Sequence, residues 1–99
     1  MRFEYAAAAI EEIDEALAYY RAIDPSLSSR MVGEIEDALQ LIQRFPQGWQ
    51  PIDQSLRQRR LKAFPYVLVY GVGGDSIQII AFANTHRRPG YWCDRISTP

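Results

Sequence analysis

His86 is the single histidine in the chain, and Arg87 and Arg88 follow it directly. Beyond Pro89 and Gly90 stand Tyr91, Trp92, Cys93 and Arg95. An imidazole beside a bound substrate is a general acid or base. The plainer reading, which we favour, is a polar strand end satisfied by the backbone. No carboxylate pair or second histidine supports a metal centre or a nucleophilic triad. The residues call for no cofactor and no metal.

Arg59, Arg60 and Lys62 lie upstream of this cluster. With Arg87, Arg88 and Arg95 they are expected to form one basic patch on neighbouring strands. Guanidinium forks suit phosphate or carboxylate partners, and Tyr66, Tyr70, Tyr91 and Trp92 would offer stacking faces for a nucleic acid. The opposing reading has the arginines lying over the sheet against acidic helices, with the aromatics in the core. Cys93 is the single cysteine, so an internal disulfide is impossible. It is read as a packed or idle thiol in a reducing, cytosolic setting.

Net charge is −1, but the charges are unevenly placed. Residues 1–50 carry nine acids against four arginines, and residues 51–99 carry seven basic residues against three acids. An acidic half beside a basic half points to an anionic partner. It fits equally well two halves that neutralise each other across one surface.

The elements that must position these groups follow from periodicity. The 99 residues, 47% of them apolar, predict one soluble domain over 1–99. No apolar run approaches the ~20 residues that span a bilayer, so no membrane partner is expected. The acids between Glu11 and Glu15 argue against a signal peptide. Residues 2–5 alternate like a short strand. Residues 6–22 predict a helix with Ala9, Ile13, Ala16, Leu17 and Tyr20 on its apolar face and Glu11, Glu12, Asp14 and Glu15 mostly opposite. The stretch Asp24-Pro25-Ser26 breaks it, and Ser26 or Ser28 offers an N-cap. A second helix over 27–44 carries Met31, Ile35, Ala38, Leu39, Ile42 and Phe45. Residues 47–56 predict a loop with Trp49 folded back. Residues 57–64 predict a half-buried strand with a basic exposed side.

Residues 66–70 and 77–84 flank a Gly73-Gly74-Asp75 turn, the pattern of an antiparallel hairpin. Simple alternation puts Ile77, Ile79, Ala81 and Ala83 on one face and Gln78, Ile80, Phe82 and Asn84 on the other. The predicted class is α+β with order β-α-α-β-β-β. A helical hairpin packs on one face of a small twisted antiparallel sheet, and the other face is partly open. A short C-terminal helical turn is anchored by Tyr91 and Trp92.

Phe64-Pro65-Tyr66-Val67-Leu68-Val69-Tyr70, the hairpin, and His86-Arg87-Arg88-Pro89-Gly90-Tyr91-Trp92 with Arg95 together resemble the RelE/ParE toxin superfamily, on its ParE branch. Tyr19-Tyr20 in the first helix and Phe45-Pro46 ending the second extend the resemblance over nearly the whole chain. It implies the toxin of a type II toxin–antitoxin pair, held in a hetero-oligomer with a small antitoxin that wraps around it. Members of the ParE branch are associated with DNA gyrase inhibition, and members of the RelE branch cut messenger RNA on the ribosome.

The RelE pattern has an arginine directly after the tyrosine matching Tyr66, where this chain has Val67. Arg60, Lys62, Arg87 and Tyr91 match the remaining ribonuclease positions, with His86 as a substitute proton donor. The incomplete set favours action by binding, with no catalytic residues. On that reading Arg87, Arg88, Tyr91, Trp92 and Arg95 bind the target, and Arg59, Arg60 and Lys62 meet the antitoxin. The alternatives are a ribosome-dependent endoribonuclease and a non-toxic relative that only binds its antitoxin.

Overall fold

The computed structural model describes residues 1–53, 55–88 and 90–95. Gln54, Pro89 and residues 96–99, which the predicted loop, C-terminal turn and domain include, lie outside the described residues. Strand β1 (Arg2–Tyr5) leads through Ala6 into helix α1 (Ala7–Ile23), and α2 (Pro25–Arg44) follows. Strands β2 (Gln50–Pro51), β3 (Leu56–Arg60), β4 (Tyr66–Gly73) and β5 (Ser76–Asn84) come next, and a 3-10 turn covers Cys93–Arg95. The strands form one sheet in the order β1-β5-β4-β3-β2. The α+β class and the helical hairpin over one sheet face are as predicted.

The helices end where their sequence requires. Asp24, rather than Ser26 or Ser28, caps α2: its side chain accepts the Ser26 N–H at 3.0 Å. Pro25 then sits in the first turn, where its missing donor costs nothing. Met31, Ile35, Ala38 and Ile42 are buried on α2, whereas Phe45, expected on that stripe, is exposed past the helix end.

Four details of the sheet differ from the prediction. First, β1 runs parallel to β5, not antiparallel. A single residue, Ala6, separates β1 from α1, leaving no room to reverse. The helix therefore prolongs the path of β1 along β5, and the two strands share a direction. Second, the segment read as a loop contains β2, which pairs antiparallel with β3. Asp53 Oδ1 accepts the Ser55 and Leu56 N–H groups, both at 2.8 Å, and so folds the short turn between them. Third, β3 stops at Arg60. The Lys62 and Ala63 N–H groups instead donate to Glu34 Oε1 on α2, at 2.9 and 3.0 Å.

The fourth difference is the phase of β5. Register slips between Val69 and Tyr70: Val69 faces Ala81, but Tyr70 faces Ile79. The extra residue, Ile80, is a β-bulge, and it shifts the alternation. Ile77, Ile79 and Phe82 thus share the helix-facing core, against the predicted assignment. Ala81 and Ala83 face the other way, into a second cluster with Leu56, Val67, Val69 and Trp92. That second face is therefore covered by the C-terminal turn. The β4–β5 turn needs Gly74 at φ +61, a conformation that a Cβ makes costly.

Trp92 is only 7% exposed and is the largest member of the second cluster. Trp92→Ala is expected to cost about 3–5 kcal/mol, the usual range for emptying a buried aromatic site. Chemical denaturation measures it. A loss below about 0.5 kcal/mol, the surface range, would show that the turn does not depend on this ring.

Candidate functional site

The site is built around a residue that the sequence reading placed on the solvated side of α1. Glu12 lies three residues after Ala9 and four before Ala16, the two buried positions of that helix. It therefore shares their face. Two small side chains let α1 lie close to β5, and Glu12 arrives at the strand's edge. Its side chain is 13% exposed.

Four groups converge on that carboxylate. Arg95 makes a fork: Nη1 donates to Oε1 at 2.7 Å and Nη2 to Oε2 at 3.2 Å. The Tyr91 hydroxyl donates to Oε2. The Phe82 N–H donates to Oε1 at 3.1 Å. Arg87 Nη1 stands 3.9 Å from Oε2. Arg87 also lies over the Tyr91 ring, 3.8 Å from its centroid, and Arg95 lies 5.1 Å away. One acid thus ties α1, β5 and the C-terminal turn together.

The protonation states follow from these contacts. Burial works to raise the Glu12 pKa. The hydrogen bonds from Arg95, Tyr91 and Phe82 and the charge of Arg95 outweigh it, and the carboxyl ionises below its ordinary value of 4.5. Tyr91 is pushed up to about 12, first by burial and then by its bond to Glu12 and that residue's charge; Arg87 and Arg95 partly offset this.

An open cleft of about 490 Å³ adjoins this hub. Glu12, Glu15, Tyr19, Tyr66, His86, Arg87 and Tyr91 are among the residues lining it. Tyr19 is 61% exposed at its rim, while Tyr66 stacks on Phe82 with centroids 4.6 Å apart. The His86 N–H donates to Asn84 Oδ1, and the residue is exposed.

The expected single basic patch divides in two. Arg87 and Arg95 belong to the Glu12 hub. Arg59, Arg60 and Lys62 line a separate groove against α2, with Glu34 and Asp37 on its other wall. Two strand spacings, about 10 Å, separate β3 from β5. Arg59 is not on an exposed face: its guanidinium lies 4.2 Å over the Trp49 ring, and the Trp49 Nε1–H donates to Leu41 O at 3.2 Å. Arg60, Lys62 and Arg88 are exposed. Among the described residues, Glu12 is the acid that joins the acidic half to the basic half by ion pairs, through Arg87 and Arg95.

The stacking faces are largely consumed. Tyr70 is fully buried and its hydroxyl donates to Pro46 O at 2.8 Å. Trp92 is in the second core and offers a partner little surface. Val67 lies in that same core, facing away from the helix side. Arg60 and Lys62 line one groove and Arg87 and Tyr91 another, so the four positions shared with the ribonuclease pattern do not line a common cleft. Among the described residues no group of three or more His, Cys, Asp or Glu could hold a metal ion. No described helix is long and apolar enough to cross a membrane.

The geometry fits comparisons with known proteins. The family model described as "ParE toxin of type II toxin-antitoxin system, parDE" matches residues 3–89. The curated relative "Putative toxin Y4kP" of Sinorhizobium fredii (strain NBRC 101917 / NGR234) is 26% identical over 88 residues, 88% of this chain and 91% of its own. A solved structure titled "Chromosomal ParDE TA system from P. aeruginosa" has the same fold, with a TM-score of 0.67 at 18% identity. That match covers 87% of this chain and 97% of the other.

The hub makes stability depend on pH at both ends. Glu12 has a depressed folded pKa, so its contribution is present above pH 4.5 and is lost as pH falls through the folded value. Tyr91 has a raised one, so its contribution holds below pH 10 and is lost as pH rises towards 12. Denaturation midpoints against pH are expected to show a shallower acid limb in Glu12→Gln and a shallower alkaline limb in Tyr91→Phe than in wild type. Parallel profiles for wild type and variants would remove these groups from the linkage.

Proposed function

We propose that this chain, which belongs to the ParE toxin family of type II toxin–antitoxin systems, is a toxin that arrests its target by binding, that the target is DNA gyrase in the cytoplasm, and that a cognate antitoxin neutralises it. The observation that carries the reading is the mounting of the segment after β5. Trp92 fixes it to one sheet face, and Glu12 fixes it to α1. Arg87, at 59% side-chain exposure, and Arg88 are left facing outward on this support. Such pre-ordering lowers the entropic cost of binding. Arg87, Arg88 and the edge of Tyr91 are the target-binding groups. Trp92 and Arg95 act by holding them.

Purified protein is expected to inhibit gyrase supercoiling. Arg87→Glu with Arg88→Glu is expected to weaken that inhibition roughly tenfold or more, through two charge reversals at the contact. Undiminished supercoiling at large toxin excess would refute the target.

The antitoxin surface is the groove between α2 and β3. Arg60 and Lys62 are its exposed cations, and Ala38, Leu41 and Leu61 give it an apolar floor. A partly apolar segment suits it, with its acids towards Arg60 and Lys62 and away from the Glu34 and Asp37 wall. Titration calorimetry is expected to show Arg60→Glu with Lys62→Glu weakening the antitoxin complex several-fold or more, about 1 kcal/mol at least. Unchanged affinity would place the interface elsewhere.

A further inference from the structure

Strand β1 covers only the first half of β5: its last paired residue, Tyr5, stands opposite Ile79. Beyond that point no strand among the described residues neighbours the same side of β5. This is the stretch Ile80-Ala81-Phe82-Ala83, which has no charge and no proline; the Ile79 carbonyl before it still accepts the Ala6 N–H at 2.9 Å. Such a segment on an open edge is a template for pairing with another chain. Ile80 is partly exposed there, whereas Ala81, Phe82 and Ala83 are covered, at 2% exposure or less. Ile79, Ile80 and Arg95 line one open cleft, of about 470 Å³, and Phe82 and Glu12 line another.

Two main-chain groups on this edge are nevertheless paired, both by side chains. Arg95 Nη1 donates to Ile80 O at 3.3 Å, and the Phe82 N–H donates to Glu12 Oε1 at 3.1 Å. A carbonyl at one residue and an N–H two residues later are the two groups that a parallel strand engages with a single residue of its own. Arg95 supplies the donor, Glu12 supplies the acceptor, and the 2.7 Å bond between them closes the unit. The pair does the work of one strand residue.

We infer that the Glu12–Arg95 pair is an edge cap that prevents β5 from pairing with a second copy of this chain. The occupant excluded is another copy, because it presents an identical uncharged β5 edge once its own cap is lost, and edges of this kind pair with themselves. This role is separate from toxin action and involves neither the target nor the antitoxin.

The test is self-association of the whole chain, by sedimentation velocity over a concentration series and by amide exchange. Glu12→Ala and Arg95→Met each uncover one main-chain group. Each is expected to at least double the apparent mass relative to wild type, with protection concentrated at residues 80–83. Glu12→Gln keeps an oxygen acceptor for the Phe82 N–H and is expected to stay at the wild-type mass. A general effect of lost charge would move Glu12→Gln as well, and that result would overturn the proposal. So would folded Glu12→Ala and Arg95→Met proteins that match wild type in mass, association protecting a different segment, or variants that unfold outright without associating.

Discussion

One ionised side chain holds the site together. Glu12 reaches from α1 to the edge of β5 and takes hydrogen bonds from Arg95, Tyr91 and the Phe82 main chain. Moving a carboxylate out of water costs several kcal/mol unless donors replace the lost solvation. Here a guanidinium fork, a phenol and an amide replace it, and the Arg87 guanidinium adds its charge at 3.9 Å. Donors already satisfied by one acid are not free to adopt other rotamers. The segment after β5 is thereby held in one arrangement.

The rest of the architecture serves that convergence. Ala9 and Ala16 keep α1 close to the sheet. The bulge at Ile80 turns Phe82 into the helix-facing core beside Ile77 and Ile79. Tyr66 stacks on Phe82, and Tyr20 meets the rings of Phe64 and Tyr66 edge-on. Behind the sheet, Trp92 packs with Val67, Val69 and Ala83 and pins the same C-terminal segment from the opposite side. Arg87 and Arg88 thus stand on a support braced from two faces, which suits recognition of a large partner better than enclosure of a small one.

Much of this was readable from periodicity. The two helices, the hairpin, the anchoring of the C-terminal turn by Tyr91 and Trp92 and the folding back of Trp49 all follow from apolar spacing and turn residues, whereas the second sheet face, expected to be partly open, is covered by that turn. What was hidden has a common cause: it depends on contacts distant in sequence. The bulge leaves no trace because Ile80 and Phe82 are both apolar, so a slip in phase changes no polarity pattern. The parallel sense of β1 is set by where α1 leads, not by its own four residues. Glu12 looked like a member of an acidic face, although its three- and four-residue spacing from Ala9 and Ala16 was there to be seen. The arginines misled by composition: those at 59 and 95 are occupied by Trp49 and Glu12, and only part of the basic half faces outward.

Glu12 and Arg95 act as one unit in holding α1, β5 and the C-terminal turn together. A double-mutant cycle of Glu12→Ala and Arg95→Ala, read by chemical denaturation near pH 7, measures that coupling directly. The expected coupling energy is about 1.5–3 kcal/mol, the range for hydrogen bonds between charged groups. Additivity of the two substitutions to within about 0.5 kcal/mol would contradict it.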